Sequence, residues 1–526
     1  MKIKKCMLSG LAAAFMLVCA AGCSIKQASV LAELQVDQNA ETGEGSSFSR
    51  AEENSSIDDL SRYFHSKEHY TLKVMAFGDA DPGALKEVSA AVSEITEERL
   101  NCNVELTRVS FSSYMTQLNL KLASGEKLDL FVPMSDPLEY VNAGQIQPVG
   151  TLLETFAPNL SAQLNERDWV TQIYRGEIYG LPVNGEKGHT IGFGMRKDIC
   201  EALDIDYENF QSMEDLHDAL VKVKEAYPDM DPVVSNGGDM YGSSIVYLGQ
   251  DDCGDTFNLA VLEDPFDENG QIVSFFETDL FRESCERMYQ WCQEGLVMKD
   301  ASFNTDSAMT LVSAGNAFGY FQQMAPGWKL EATQNCSVEM VSWKYGVPTY
   351  TGNTLAWFVP AASGDPERAV AFYDLMYSDP VVANLVINGI EGENYIFVDK
   401  EQGIITYPEG KDATNNGYSR QEWAWPNGRL SYSIQGLEPD WGESDRFEQT
   451  AQIPVSFGFK FDAAPVINQI TGCLYVYEKY VPALLCGTLD PETTIPILNE
   501  EMEAAGIRDI VKEKQEQFDQ WKAENQ

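Results

Sequence analysis

The sequence predicts an α/β fold in which parallel strands are covered by helices. Residues 70–134 alternate as strand, helix, strand, helix and strand, an order typical of a parallel sheet. The helical stretches carry apolar residues three and four positions apart, and they end at Asn101 and Gly125, residue types favoured at helix ends. The chain has 526 residues, 44% of them hydrophobic, which is enough for two or more domains with their own cores.

The elements follow in order along the chain. Strands are predicted at residues 70–77, 104–109 and 129–134, the last fully buried. The first helix starts with Asp81 as its N-cap and Pro82 in its first turn, and Ser112 caps the second. Further on we predict helices at residues 214–226, 279–292 and 365–377, an apolar strand at 355–360, and a charged helix pair from about 497 that is broken at Gly506.

The N-terminus has the pattern of an export signal. Three lysines within the first five residues precede an apolar run, residues 7–21, that is too short to span a membrane. The run ends in Ala20-Ala21-Gly22-Cys23, which resembles the bacterial lipobox. The resemblance implies that residues 1–22 are a signal peptide and that Cys23 carries a diacylglyceryl group with its fatty acyl chains, such as palmitate. The alternative is an ordinary secretory signal with a chance cysteine.

The segment after Cys23 is polar and rich in Gly, Ser and Glu. We predict that residues 23–69 form a flexible tether between the lipid and the folded part. The protein is therefore expected at the cell membrane, anchored by lipid on its extracytoplasmic face.

Charge and cysteine content exclude several classes of protein. A net charge of −44 repels phosphates, so no nucleic-acid partner is expected. No CxxC pair occurs, and a chain of this size does not need disulfides to fold. Scattered thiols in an exported protein suggest a reducing or anaerobic habitat. Eight cysteines remain once the signal and Cys23 are set aside: Cys102, Cys200, Cys253, Cys285, Cys292, Cys336, Cys473 and Cys486.

The motifs of common enzymes are absent from the sequence. There is no GxSxG elbow, no HExxH and no GxxxxGK[ST] loop. Residues 267–270 suggest a calcium loop, but Pro265 and Phe276 occupy its first and twelfth positions, so the EF-hand pattern fails. We therefore expect no catalytic residues, no metal and no cofactor, although 81 acidic residues leave a glycosidase-like acid pair open.

Several short motifs, in this order, resemble the extracellular solute-binding proteins of ABC importers. They are residues 178–183 (IYGLPV), 194–198 (GMRKD), 314–320 (AGNAFGY), 326–328 (PGW) and 363–369 (SGDPERA). Others resemble a Gram-positive subgroup that carries the uncharacterised C-terminal domain DUF3502: residues 378–380 (SDP), 389–392 (GIEG), 425–427 (WPN), 457–459 (FGF) and 505–508 (AGIR).

The resemblance implies a two-lobe fold of the type II periplasmic-binding-protein kind. Each lobe would be a mostly parallel sheet flanked by helices, with three hinge crossings and a ligand cleft between the lobes. The first lobe would comprise residues 70–181 and 351–425, and the second residues 182–350. Residues 426–526 would form a helical region that closes the second lobe.

Candidate ligand contacts follow from the chemistry of sugars, which present apolar faces and hydroxyl rims to aromatic and polar side chains. Ligands of parallel sheets lie at the carboxyl ends of the strands. Phe77 and Trp357 fit a core position equally well, whereas no apolar period surrounds Trp423 and Trp425, which we expect at the surface or in the cleft. The candidates are Phe77, Asp79, Ser135, Asp136, Asn184, Tyr320, Gln322, Trp328, Trp357, Trp423 and Trp425.

The resemblance implies a monomeric binding protein, not an enzyme, that delivers its solute to an ABC permease pair driven by a cytoplasmic ATPase. A carbohydrate or oligosaccharide is the expected ligand, and a peptide or another small polar solute stays open. Two other functions also stay open: a surface lipoprotein that hydrolyses glycans, and a binding lipoprotein that serves a sensor.

Overall fold

The computed structural model describes residues 59–240, 250–413 and 415–525. The predicted signal peptide, Cys23 and most of the predicted tether lie outside these residues. Residues 59–65 are helical, and Phe64 is fully buried in the first core. The prediction that the tether extends to residue 69 is therefore wrong at its end, because the ring of Phe64 fixes this part of the chain in a core.

The first lobe contains the parallel sheet that the sequence predicted. Tyr70–Phe77 lies between Cys102–Val109 and Leu130–Phe131 and pairs with both in parallel. The third strand is shorter than predicted. Its first expected residue, Asp129, is instead buried and accepts hydrogen bonds from the Lys73 amide and from two hydroxyl groups.

Helices cover both sides of this sheet. The first begins after Asp81 as predicted, although the Asp81 side chain makes no capping hydrogen bond. The second begins one residue after Ser110, not at Ser112, and both helices end at left-handed residues, Asn101 and Gly125. The helices of this lobe are Pro82–Leu100, Phe111–Ser124, Pro137–Asn142, Gly150–Phe156, Pro158–Gln163, Glu166–Val170, Pro366–Ser378 and Pro380–Asn388.

The second lobe contains a mixed sheet, so the expectation of a mostly parallel sheet is wrong there. Gly188–Arg196 pairs in antiparallel fashion with Ala317–Met324, Met340–Lys344 and Thr349–Tyr350. One pair, between Ala317–Met324 and Asp231–Val233, is parallel. The strand–helix–strand order that indicates parallel pairing is regular only in residues 70–134, and the long connections of the second lobe let strands return in either direction.

Helices of the second lobe share a hydrophobic core with this sheet, and the C-terminal helices add to that core. Gly506 separates the last two helices in a left-handed conformation, as predicted. The core includes buried residues from these helices, among them Ile470, Leu498 and Phe518. The helices are Lys197–Ala202, Met213–Ala226, Asp279–Gln293, Ala308–Ser313, Trp328–Cys336, Ile467–Leu485, Pro491–Ala505 and Ile507–Asn525.

Among the residues that the structure describes, three chain segments connect the two lobes. Leu181–Pro182 and Ala356–Trp357 pair side by side, and residues 184 and 427 form a bridge next to them. Residues 430–432 still hydrogen-bond Asn384 of the first lobe. The boundary between the lobes that was predicted at residue 426 is therefore too early in the chain. Helix Trp441–Thr450 comes next and leads toward the second lobe.

Small antiparallel pairs and a third short sheet complete the described strands: Ile173–Tyr174 with Glu177–Ile178, Ala260–Leu262 with Ile272–Ser274, and Ile396–Asp399, Ile404–Thr406 and Ser433–Ile434 together. Within the described ranges no single helix is long and apolar enough to span a membrane. Helices Pro366–Ser378 and Pro380–Asn388 reach that length and composition only together, with a 91° bend between them.

Candidate functional site

The carboxyl ends of the first lobe's strands bring four predicted site residues to one edge. Phe77 is the last residue of the central strand, and Asp79 lies just after it. Ser135 and Asp136 follow the neighbouring strand, Leu130–Phe131. The Ser135 hydroxyl lies 3.0 Å from the Tyr140 hydroxyl, and Asp136 accepts a hydrogen bond from the Leu138 amide at 2.9 Å, which caps a short helix. This edge faces the second lobe.

A cavity of about 810 Å³ lies between the lobes at the Asp136 end of this edge. Its volume is within the range of small-molecule sites, about 300–1,000 Å³. Ser135, Asp136 and Tyr174 line it from the first lobe, and His189 and Gln323 line it from the second. Two further walls come from loop residues 250–256 and from the C-terminal segment 456–460.

A lysine of the C-terminal segment lies near two acidic groups of this cavity. Burial lowers the pKa of Lys460, and the carboxylates of Asp136 and Asp252 oppose that shift. The Lys460 ammonium also lies 5.3 Å from the ring centroid of Tyr174. A residue of the C-terminal segment therefore contacts the first lobe at Tyr174 and lies near the carboxylates of Asp136 and Asp252.

Burial also shifts the pKa values of three other groups that line the cavity. Burial, together with the neighbouring carboxylates of Asp251 and Asp255, raises the pKa of Asp252 to about 8. Burial also raises the pKa of Asp136 and lowers that of His189 to about 4. At neutral pH the imidazole of His189 therefore offers one donor and one acceptor.

The loop that carries Asp252 is held by the last helix of the chain. Lys514 is fully buried, and its ammonium lies 2.7 Å from an Asp255 carboxylate oxygen. It also donates to the backbone carbonyls of Asp252 and Ala260. The Asp251 carboxylate accepts hydrogen bonds from the Cys253 amide and the Ser456 hydroxyl. These contacts fix the loop against the C-terminal segment.

A second set of aromatic side chains lies at the other end of the same edge. Trp423 is 44% exposed, and its ring lies 5.1 Å from that of Phe77. Phe111, 58% exposed, lies 5.5 Å from Phe77 on another side. Glu331 of the second lobe approaches this region: desolvation raises the pKa of its carboxyl group, and the nearby carboxylates of Glu422 and Glu186 add to the shift. The two lobes therefore face each other here as well.

Three predicted tryptophans are core residues. Trp328 is buried and packs against the backbone of Gly194, where any side chain would collide because a Cβ atom would lie 2.5 Å from the indole. It also lies near the buried ring of Tyr320. Trp357 and Trp425 are buried in the first core with ring centroids 5.3 Å apart. The expectation that Trp425 lies at the surface or in the cleft is wrong, because its segment folds inward against Trp357.

Two predicted polar residues also lie away from the cavity wall. Gln322 shares a strand face with Tyr320, whereas its neighbour Gln323 points to the opposite face and lines the cavity. Asn184 donates to the Asn427 side chain at 3.1 Å and so holds the crossing together.

Two features of the sequence point to the additional residues of the cavity. The run Asp251-Asp252-Cys253-Gly254-Asp255 is acidic and contains a turn-forming glycine, which is typical of a functional loop. The Phe457-Gly458-Phe459 motif, which is part of the family resemblance, lies between Ser456 and Lys460, and both of these residues line the cavity.

Comparison with known proteins identifies the family. The profile of the bacterial extracellular solute-binding proteins matches residues 82–383, and that of a domain of unknown function, DUF3502, matches residues 455–523. The chain belongs to the bacterial extracellular solute-binding protein family, as the resemblance of its motifs indicated.

Relatives of known annotation and structure agree with this. A carbohydrate ABC transporter substrate-binding protein of Streptococcus pneumoniae serotype 4 is 21% identical over 464 residues, covering 86% of this chain and 90% of the relative. The N-glycan transport solute-binding protein NgtS of S. pneumoniae is similar in structure, with a TM-score of 0.75 at 19% identity, covering 86% of this chain and 98% of NgtS.

NgtS has also been crystallised with Man1GlcNAc, and that structure matches with a TM-score of 0.72 at 18% identity over 86% of this chain and 99% of the other. The S. pneumoniae protein FusA in complex with kestose matches with a TM-score of 0.60 at 17% identity, over 86% of this chain and 99% of FusA. The predicted two-lobe α/β fold is therefore confirmed.

Proposed function

We propose that this protein is the lipid-anchored substrate-binding component of an ABC importer and captures a carbohydrate or oligosaccharide between its lobes. The observation that carries the proposal is the cavity of about 810 Å³ whose walls come from both lobes. A solute bound there contacts both lobes at once, which is what a binding protein that closes around its ligand requires.

The mechanism is capture by closure. A ligand that contacts both walls stabilises the closed arrangement relative to the open one by its difference in affinity for the two. The paired crossings at Leu181–Pro182 and Ala356–Trp357 and the Asn184–Asn427 contact form the hinge. The closed form then docks on a permease pair, and a cytoplasmic ATPase drives transport.

The side chains of the cavity suit a sugar. Tyr174 and Phe457 offer aromatic faces for the apolar side of a pyranose ring, and Asp136, Asp252 and Gln323 offer acceptors and donors for its hydroxyl groups. The ligands named for the solved relatives, Man1GlcNAc and kestose, belong to this class.

The anchor at Cys23 would keep the protein near its transporter. A diacylglyceryl group supplies two acyl chains, which is enough for stable attachment. Replacing Cys23 with serine should release the protein from the membrane fraction without changing its affinity for sugar, measured by fractionation and calorimetry. Retention of the variant on the membrane would contradict lipid anchoring.

A thermal-shift screen tests the binding function. Because a ligand that binds only the folded state raises its stability by about 2.7 kcal/mol at 100 times Kd, a cognate sugar should raise Tm by several degrees. The screen includes Man1GlcNAc, kestose and short peptides. X-ray scattering should show a smaller radius of gyration with the sugar bound, and chromatography should recover the sugar intact. Cleavage of the sugar would favour the hydrolase instead.

A further inference from the structure

Gln250 lines the interlobe cavity, and its side-chain amide is buried without a protein partner among the described residues. Its side chain is 2% exposed, and it lines the cavity next to Asp251 and Asp252. Neither Nε2 nor Oε1 has a hydrogen-bond partner in the part of the chain that the structure describes. Buried amides are paired in the great majority of native proteins, because an unmade hydrogen bond is costly. The partner of Gln250 is therefore expected to enter from the cavity.

The backbone at Gln250 is held in place, so the amide does not need to reorganise to meet a ligand. The next residue, Asp251, exchanges two backbone hydrogen bonds with Leu262 at 2.9 and 3.0 Å. Its carboxylate is held by Ser456, and Lys514 fixes the following turn through Asp255. Ser456 and Lys514 both lie within the residues that match DUF3502. This C-terminal domain thus supports one wall of the cavity.

The donor and acceptor atoms of the Gln250 amide determine which chemical groups of a ligand can pair with it. A primary amide offers a donor and an acceptor side by side, and two adjacent hydroxyl groups of a sugar ring offer the complementary acceptor and donor. A carboxylate or a phosphate has no hydrogen-bond donor and would leave Oε1 unpaired. An ammonium group would leave Nε2 unpaired. A neutral diol satisfies both atoms.

We propose that Gln250 is a specificity-determining residue whose amide binds two adjacent hydroxyl groups of a neutral sugar unit, on a wall supported by the C-terminal domain. This inference rests on the proposed function and adds to it the class of group recognised and the residue that recognises it.

Calorimetry on the full chain with Man1GlcNAc and kestose tests the inference. Gln250→Leu keeps the size of the side chain and removes both polar atoms. For the sugar that binds, we expect its Kd to rise about 10- to 100-fold, the value of two neutral hydrogen bonds. Gln322→Leu is the matched control. This half-buried glutamine lies on the face of strand Ala317–Met324 that is opposite to the cavity-lining Gln323. The Kd of the Gln322→Leu variant for the same sugar should stay within about twofold of the wild-type value.

Monodeoxy analogues of the bound sugar separate direct contact from a structural effect. The wild type should lose about tenfold or more in affinity when either of two adjacent hydroxyl groups is removed, and Gln250→Leu should lose nothing further at those positions. The Tm of each variant without sugar shows that it is folded.

The outcomes are distinct. If the wild type binds a sugar and Gln250→Leu binds it equally well, or if the variant and the wild type respond alike to every deoxy analogue, the inference is overturned and the proposed function stands. If the wild type binds no sugar of the panel, both are overturned.

Discussion

Replacing Trp425 with alanine tests the reassignment of this residue from ligand contact to core. Its side chain is 1% exposed and packs against Trp357 at 5.3 Å between ring centroids. A buried tryptophan replaced by alanine typically costs about 3–5 kcal/mol. Because its indole N–H has no partner within the described ranges, losing that buried donor returns about 1 kcal/mol or more. We expect a net loss of about 2–4 kcal/mol.

Trp423 provides the matched comparison two residues away. It is 44% exposed and makes one ring contact, with Phe77, and one hydrogen bond, to Gln421. Trp423→Ala should therefore cost about 1 kcal/mol of stability. If the exposed ring contacts sugar, as the sequence predicted, this variant should weaken binding more than it weakens the fold.

Urea unfolding followed by circular dichroism gives the stability of both variants, and calorimetry gives their affinity for the sugar identified in the screen. The m-value should stay that of wild type, so that a change in midpoint reports stability. A free energy of unfolding for Trp425→Ala within about 1 kcal/mol of wild type would refute the argument from burial.

Three further predictions concern buried charges and thiols. The pKa of Asp252 is raised to about 8 in the folded state. Between the ordinary pKa of an aspartate and pH 8, Asp252 therefore keeps its proton in the folded state and loses it in the unfolded state. The free energy of unfolding is thus highest at low pH and falls as the pH rises toward 8. Asp252→Asn should be more stable than wild type at pH 8 and little different at pH 4 in urea titrations; equal effects at both values would contradict this. Lys514→Met should cost about 3–5 kcal/mol by leaving Asp255 buried and unpaired, and adding Asp255→Leu should recover much of that loss; a single variant as stable as wild type would disprove the pairing. The eight cysteines from 102 to 486 are free, and seven are buried, so a thiol reagent should modify only Cys292 in the native protein and all eight in urea; fewer than eight would reveal a disulfide.

The local elements of the first lobe were predictable because each is determined by neighbouring residues. The apolar run Tyr70–Phe77, the helix start at Pro82 and the helix ends at Asn101 and Gly125 are all encoded within a few positions. Parallel pairing followed from the order of these elements. Placing Phe77 and Asp136 at one edge then needed only the rule that parallel strands end together.

The composition of the cavity could not be predicted in this way. Gln250, Tyr174 and Lys460 lie far apart in the chain and meet only when the C-terminal segment packs against both lobes. Burial is likewise a tertiary property: Trp423 and Trp425 have nearly the same local sequence, yet one is exposed and the other is core. On the strand Ala317–Met324, a shift of one residue decides that Gln323, and not Gln322, faces the cavity.

By itself the sequence determined the α/β class, the membership of the family and the edge of the first lobe where ligand is expected, because these depend on local pattern and order. The tertiary structure alone decided which tryptophans are core, how the strands of the second lobe pair, and that the C-terminal domain supports the cavity wall through Ser456 and Lys514. These features depend on contacts between residues far apart in the chain, more than 200 positions for Ser456 with Asp251 and for Lys514 with Asp252, and no local pattern in the chain encodes such contacts.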